Sequence, residues 1–130
     1  MEQICAVKRD DELMEVAHYR AMSRLDEIQE RFCSGLRPEE CLYVKKGFEG
    51  IEGRREFMWL EVLAWKGDVL IGRLSNRPLW CPLLHIGQLL PVHRSEIFDW
   101  CIEHEDGTTV GGITTKAALQ GEVLIANEKG

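Results

Sequence analysis

Residues 55–74, REFMWLEVLAWKGDVLIGRL, decide the fold of this chain. In an extended strand successive side chains point to opposite faces, so Phe57 and Trp59 share one face while Met58 and Leu60 share the other. Both faces are apolar, as they are in strands that are buried on two sides. The pattern therefore predicts a central strand, which we expect to be covered on both faces.

A hairpin follows from the next residues. Lys66-Gly67-Asp68 has the composition of a tight turn, and Val69 to Leu74 has the composition of a returning strand. Arg55 to Trp65 and Val69 to Leu74 are therefore expected to pair as antiparallel neighbours, with Gly72 at a bulge or a close backbone approach.

The segment from Asp10 to Cys33 has helical periodicity. Apolar and aromatic side chains recur at steps of three and four residues, at Met14, His18, Ala21, Leu25, Ile28 and Phe32. Asp10 or Asp11 can cap the start of this helix. Gly35, followed by Pro38, supplies its end. We expect the helix, about residues 10–34, to pack its apolar stripe on the sheet.

The remaining strands complete an antiparallel pattern with short turns and no alternation of strand and helix. They are predicted at Cys41–Phe48, Leu89–Arg94, Ile97–Glu103, Thr108–Leu119 and Val123–Ala126. Ile97–Glu103 could instead be a short turn of helix, and Pro91 confines its strand to an edge or a bulge. The chain is therefore expected to form one α+β domain over residues 1–130. In it an N-terminal amphipathic helix packs on a twisted, mostly antiparallel sheet, about residues 41–126, which could curl towards a small barrel.

Composition narrows the class of protein. The chain has 130 residues, 45% hydrophobic, with a net charge of −6 that divides into −3 for residues 1–60 and −3 for residues 61–130. Nucleic-acid binding usually needs a basic surface. The only candidate basic patch consists of Lys45, Lys46, Arg54 and Arg55, and three glutamates lie among them. No leader-like segment or run of about 18 apolar residues is present, so we expect a cytoplasmic protein without a membrane span.

Cysteine and histidine positions give no recognisable chemical motif. The five cysteines, Cys5, Cys33, Cys41, Cys81 and Cys101, are odd in number and contain no CxxC pair, so we expect reduced, mostly buried thiols. Cys81, His85, Cys101 and His104 are too irregularly spaced for a typical zinc site. No acid–base pair can be nominated. We therefore expect no catalytic residue, no metal and no cofactor, and favour a protein that is not an enzyme.

Seven stretches, taken in order, resemble the YegJ-like bacterial domain family of unknown function. They are Tyr43–Phe48, Glu56–Trp59, Ile71–Pro78, Gly87, Ile97–Trp100, Asp106–Gly107 and Gly111–Thr114, and the similarity runs from about residue 12 to residue 120. The resemblance implies a small cytoplasmic bacterial protein without an established enzymatic activity. The chain departs from the family pattern at Phe57, where a histidine is usual, and at Gln88, where an aspartate is usual.

The residues that match the family pattern suggest a surface for a partner or ligand. Its candidate members are Trp59, Asn76, Arg77, Pro78, Trp80, Asp99 and Trp100. On one interpretation they are structural, since Asn and Asp shape turns and indoles fill cores. On the other, Trp59 and Trp100 meet the 76–80 loop in a groove that binds another protein, as an inhibitor, immunity-type or regulatory module. The alternatives are a small-ligand binder or hydrolase using a cleft around Trp59 and Trp100, and nucleic-acid binding through the basic patch. The oligomeric state is left open.

Overall fold

Two helices precede a six-stranded sheet. The structure, a computed structural model, describes the backbone of residues 2–118 and the side chains of residues 12–118. The helices are α1 (Glu2–Ser23) and α2 (Leu25–Cys33). The strands are β1 (Glu40–Glu49), β2 (Arg55–Lys66), β3 (Val69–Leu74), β4 (Leu89–His93), β5 (Ile97–His104) and β6 (Thr109–Gly111). Short 3-10 turns occupy Ile51–Gly53 and Arg94–Glu96, and residues 113–118 are helical.

The sheet is antiparallel and open. Its strand order is β4-β3-β2-β1-β5-β6, and every neighbouring pair is antiparallel. The predicted hairpin is confirmed as β2 and β3, and β4 is an edge strand that contains Pro91, as expected. The predicted α+β class is confirmed. The sheet does not close into a barrel, because β4 and β6 remain its two edges.

One face of the sheet carries the core, and we call it the covered face. In β2, Met58, Leu60 and Val62 are all buried. Two residues of neighbouring strands, Val44 in β1 and Trp100 in β5, are paired in register with each other and are likewise buried. Burial of such side chains stabilises the folded state by roughly 1.5–3 kcal/mol each. This face therefore supplies most of the stability of the domain.

The helices pack on the covered face. Three residues of the predicted helical stripe, Ala21, Leu25 and Ile28, are buried in the same hydrophobic cluster as the strands. Gln29 on α2 donates a hydrogen bond to the carbonyl of Gly67 in the β2–β3 turn, at 2.7 Å. Arg94 donates hydrogen bonds to the same Gln29 side chain and to the Asp26 carboxylate of α2. The stripe predicted from the sequence is therefore the surface that covers the sheet.

The second face of β2 is exposed, so the prediction of cover on both faces is wrong. Phe57 is 43% exposed and Leu63 is 38% exposed. The helical layer presents a single apolar stripe, which covers only one face of a sheet. The register of β2 against β3 also shifts between Val62 and Ala64, which returns Trp65 to the covered face. We call the face that carries Phe57 and Leu63 the open face.

Several predicted boundaries need correction. The helix does not begin at Asp10 but extends back to Glu2, and it breaks at Arg24, where φ is −103° and ψ is 3°. The predicted strand Thr108–Leu119 is a short strand, β6, followed by helical residues 113–118. Gly111 and Gly112 end the strand, since both have positive φ, 92° and 66°, which glycine adopts at little cost. Residue 119 and the predicted strand 123–126 lie outside the described residues.

Substitution of two leucines of β2 tests whether one face of the sheet is buried and the other exposed. Leu60 is 0% exposed, so Leu60→Ala should lower the free energy of unfolding by about 2–5 kcal/mol. Leu63→Ala, the same change on the open face, should cost less than about 1 kcal/mol. Urea unfolding of both variants measures the difference. Equal losses would contradict a sheet with one covered face.

Candidate functional site

The two tryptophans proposed to form a groove lie on opposite faces of the sheet. Trp59 pairs in register with Lys45, and Trp100 pairs with Val44, the next residue of β1. Adjacent residues of a strand point to opposite faces. Trp100 is 2% exposed, and its indole N–H donates to the carbonyl of Ala21 in α1, at 3.0 Å. The structure therefore does not bring Trp100 together with Trp59, which is half-buried on the open face.

The predicted loop residues Asn76, Arg77, Pro78 and Trp80 lie in the connection from β3 to β4, and Asn76 contacts Trp59. The side-chain carbonyl of Asn76 accepts the backbone N–H of Trp59, at 2.6 Å. Asn76 and Arg77 are exposed, while Pro78 and Trp80 are half-buried. Asn76 thus fixes the start of this loop against β2, which is the turn-shaping role that its residue type suggests.

A buried carboxylate holds the middle of the loop. The Glu56 carboxylate accepts the backbone N–H groups of Leu79, at 2.9 Å, and Trp80, at 3.0 Å. These hydrogen bonds, that of Trp80 first, hold the pKa of Glu56 below its usual value although burial opposes the shift. The Trp80 carbonyl in turn accepts the N–H of Ile51, at 2.9 Å, and the Arg54 guanidinium lies 4.9 Å from the centre of the Trp80 ring. The loop is therefore tied to the β1–β2 connection.

Asp99 holds the C-terminal helical residues against the open face. Its side chain is fully buried, and one oxygen accepts the Trp100 N–H at 2.7 Å. The other oxygen accepts both the N–H of Thr114, at 2.9 Å, and its hydroxyl, at 2.5 Å. Because both donors belong to Thr114, this carboxylate positions residues 113–118 at the side of the sheet.

Lys45 extends the same network across the open face. Its ammonium donates to the hydroxyl oxygens of Thr114, at 2.9 Å, and Thr115, at 3.0 Å. It also lies 5.1 Å from the centre of the Trp59 ring and 6.0 Å from that of Phe98. Loss of solvation lowers the pKa of Lys45, and Asp99 partly opposes that effect. The ammonium is thus partly shielded from water.

A cleft opens on the open face beside this network. Its volume is about 380 Å³, and it runs from Trp59 on β2 across β1 and β5 to β6. Tyr43 and Cys101, which are paired in register, contribute to its floor. Its other lining residues are Ser75, Glu103, Thr109, Gly111, Gly112, Thr115 and Lys116. Within the predicted set, Trp59 is the one residue that lines this cleft. The residues that join it come from strands far apart in sequence, so only the register brings them together.

Burial raises the pKa of the Cys41, Cys81 and Cys101 thiols above the usual value. Cys33, Cys41, Cys81 and Cys101 are all free, and only Cys81 is buried, so the expectation of mostly buried thiols is wrong for the described cysteines. The side chain of Cys5 lies outside the described residues. Burial first, then Asp99 and Glu103, raises the pKa of Cys101 above its usual value. A raised pKa leaves less of the nucleophilic thiolate at neutral pH.

The candidate basic patch is divided by the sheet. Lys45 is on the open face, whereas Lys46 follows it on the other side and pairs with Glu96 at 2.9 Å. Arg55 lies 5.3 Å from the centre of the Phe57 ring, and Arg54 stacks on Trp80.

Among residues 12–118, no group of three or more His, Cys, Asp or Glu side chains is placed to hold a metal ion. No helix in the described part of the chain combines the length and the hydrophobicity that crossing a bilayer requires.

Substitution of Thr114 tests the contact between the helical residues 113–118 and the sheet. Thr114→Val keeps the side-chain shape but removes the hydroxyl that bonds both Asp99 and Lys45. Asp99 and Lys45 would each lose one hydrogen-bond partner while keeping others, which should lower the free energy of unfolding by about 1–3 kcal/mol. Thr114→Ser retains the hydroxyl and is the matched control. Denaturant unfolding and amide exchange of residues 113–118 measure both, and equal behaviour of the two variants would contradict the assigned contact.

Protonation of the Glu56 carboxylate in acid should destabilise the loop that it holds. Its folded-state pKa lies below the ordinary value of 4.5, so its contribution is complete above that pH and disappears as the pH falls through the folded-state pKa. Amide exchange of Leu79 and Trp80 should therefore accelerate in the wild type as the pH is lowered below about 4.5, beyond the intrinsic change in exchange rate. In Glu56→Gln the acceleration should be absent. An unchanged acid response in that variant would disprove the assignment.

Comparison with known proteins defines a family but no activity. No curated protein and no solved structure was found to match the chain. A family model, described as an uncharacterized protein conserved in bacteria (DUF2314), matches residues 11–127. This match supports the bacterial domain of unknown function that the sequence resembles, while the YegJ-like name stays a prediction. Since the match covers most of the 130 residues, the chain belongs to the DUF2314 family of uncharacterized proteins conserved in bacteria.

Proposed function

We propose that this protein is a non-enzymatic binding module whose open sheet face contacts another protein. The observation that carries the proposal is the exposure of large apolar side chains on adjacent strands of that face. They are Leu63, Val69, Ile71 and Leu89, each between 37 and 57% exposed. Contiguous exposed apolar surface on a protein marks a site of interaction.

Register makes these side chains neighbours. Ile71 pairs with Ala64 on β2 and with Pro91 on β4, and Arg73 pairs with Leu89. Paired residues of adjacent strands lie about 4.5–5.5 Å apart on the same face. Strands β2, β3 and β4 thus present one apolar surface, with the Arg73 and Glu61 side chains within 3.9 Å of each other at its side. An apolar centre with charges at its edge is the usual composition of a protein interface.

Net charge suggests the kind of partner. The chain carries −6, so a partner with an apolar patch inside a basic surround is the complementary surface. Long-range attraction would increase the rate of association, and the apolar contact would supply most of the affinity. Such a module would act on its partner as an inhibitor, an immunity-type protein or a regulator, in the cytoplasm.

The alternatives have less support. The four residues of the candidate nucleic-acid patch lie on different sides of the sheet, and Lys46 is already paired with Glu96. A hydrolase would need an activated nucleophile, and the pKa of Cys101 is raised. A small-ligand site remains compatible with the protein-binding proposal, because none of the exposed apolar side chains named above lines the cleft beside Trp59.

Site-specific crosslinking in the source bacterium tests the protein-binding proposal. A photoreactive residue at position 63, on the open face, should capture a partner that the same group at position 19 does not. Tyr19 is the matched control because it is 75% exposed on α1.

The captured protein is then purified for a second measurement. Its affinity should fall about tenfold or more with Ile71→Asp, since this change places a charge in the centre of the apolar surface. Tyr19→Asp should leave the affinity unchanged. Equal capture from both positions, or equal affinity of both variants, would overturn the proposal.

A further inference from the structure

The connection from β3 to β4 is a closed loop. The backbone N–H of Leu74 donates to the carbonyl of Gln88 at 2.9 Å, and that of Gly87 donates to the carbonyl of Leu74 at 2.7 Å. The two ends of the segment between them therefore meet at the sheet, as the ends of an Ω-loop do. We call residues 75–87 the β3–β4 loop. Loops of this kind lie on the protein surface and frequently carry a function.

The backbone of this loop is fixed by the rest of the protein. The Glu56 carboxylate accepts the N–H groups of Leu79 and Trp80, and Cys81 is buried beneath the loop. Gly50 lies so close to the loop that a Cβ there would be 2.5 Å from the Trp80 carbonyl oxygen. The loop is therefore held in shape before any partner binds, which reduces the entropy cost of binding.

Three large apolar side chains of the loop point into solvent. Leu79 is 76% exposed, Leu83 is 90% exposed and Ile86 is 53% exposed. Backbone hydrogen bonds close two consecutive turns, of 3.0 Å at residues 81–84 and 3.2 Å at residues 85–88. Leu83 and Ile86 are central residues of these turns, where the chain reverses direction. The loop thus presents projecting apolar side chains, in contrast to the flat apolar surface of β2, β3 and β4.

Charge in this part of the chain has one sign. Residues 69–95 contain three arginines and no aspartate or glutamate, although the whole chain carries −6. The arginine within the loop is Arg77, which is exposed and forms no salt bridge with another described residue. Two exposed glutamates, Glu49 and Glu52, lie next to the loop at the β1–β2 connection, and Glu52 is 3.9 Å from Arg54. The loop itself therefore combines apolar side chains with positive charge.

We propose that the β3–β4 loop docks on the surface of an anionic lipid bilayer. In the bound state its three exposed apolar side chains enter the boundary between headgroups and acyl chains, and Arg77 contacts the negative headgroups. A bilayer accepts projecting apolar side chains without a preformed pocket, and such contact needs no spanning segment. The net charge of −6 opposes the approach of the protein to an anionic surface, so the binding is weak and reversible.

Co-flotation of the full chain with lipid vesicles tests the proposal. One vesicle type consists of phosphatidylcholine alone, and the other contains about 30% phosphatidylglycerol as the anionic lipid. Lipid at about 5 mM is well above the roughly 0.1 mM at which a single weak anchor is half bound. The protein should float with the anionic vesicles, and a smaller fraction should float with the neutral ones.

Substitutions assign the contact to the loop. Leu83→Asp should weaken binding to both vesicle types about tenfold or more, because a charge replaces an inserted apolar side chain. Arg77→Gln should weaken binding about fivefold on anionic vesicles and leave it unchanged on neutral ones. Tyr19→Asp is the matched control on α1, where Tyr19 is 75% exposed, and should bind as the wild type does.

Ile71→Asp separates this proposal from the protein-binding one. The change lies on the open face of β3 and outside the loop, so it should weaken the protein partner and leave lipid binding unchanged. The two proposals can therefore fail independently.

Three results would overturn lipid docking: no flotation with either vesicle type, equal flotation of the wild type and Leu83→Asp, or a preference for neutral vesicles. A photoreactive residue at position 83 that captures a protein in the source bacterium, without any lipid binding in vitro, would mean that the loop fits a protein pocket. That outcome would overturn the proposal as well.

Discussion

The difference between the two faces of the sheet governs the rest of the structure. Met58, Leu60 and Val62 are buried because α1 and α2 offer one apolar stripe, built around Ala21, Leu25 and Ile28. A stripe of this kind covers one face and leaves the opposite face to solvent. Since β2 is apolar on both faces, the fold is left with an exposed apolar surface that α1 and α2 do not cover, and the short helical segment 113–118 is held beside it at Asp99.

The polar groups on the open face organise what lies beside that surface. Asp99 is fully buried and bonds Thr114 through both the backbone and the hydroxyl, while Lys45 reaches Thr114 and Thr115. A buried carboxylate is costly unless its hydrogen bonds are complete, which explains why Asp99 is placed where three donors converge. Thr115 and Lys116, which follow the residue that it holds, line the cleft, so the same structural contact helps to shape that cleft.

Much of the fold could be predicted from sequence because its signals are local. The β2–β3 hairpin follows from period-two alternation and the turn at Gly67, and the helical stripe follows from steps of three and four residues. The prediction that β2 is covered on both faces is wrong, because a strand with apolar residues on both faces can be buried in a core or can leave one face exposed at a binding surface. The helical residues 113–118 were missed because two adjacent glycines with positive φ end β6 after only three residues.

The candidate site was predictable only in part. The side chains of Asn76, Glu56 and Asp99 accept hydrogen bonds from backbone N–H groups of other segments. For Asn and Asp this is the role that the residue type suggests. Sequence could not show that Trp59 and Trp100 are on opposite faces, because that depends on the register of β1 with both β2 and β5. The sequence likewise gave no signal that Tyr43, Glu103 and Lys116 line the same cleft as Trp59.

Hydroxyl-radical footprinting of the purified protein tests the central claim, that one face of the sheet is covered and the other is open. Phe57 and Leu63 should be oxidised readily, while Trp100 and Leu60, which are almost fully buried, should be protected. Protection of Phe57 and Leu63 to the level of Trp100 would contradict the claim, because it would mean that the apolar surface proposed for a partner is already covered within the protein itself.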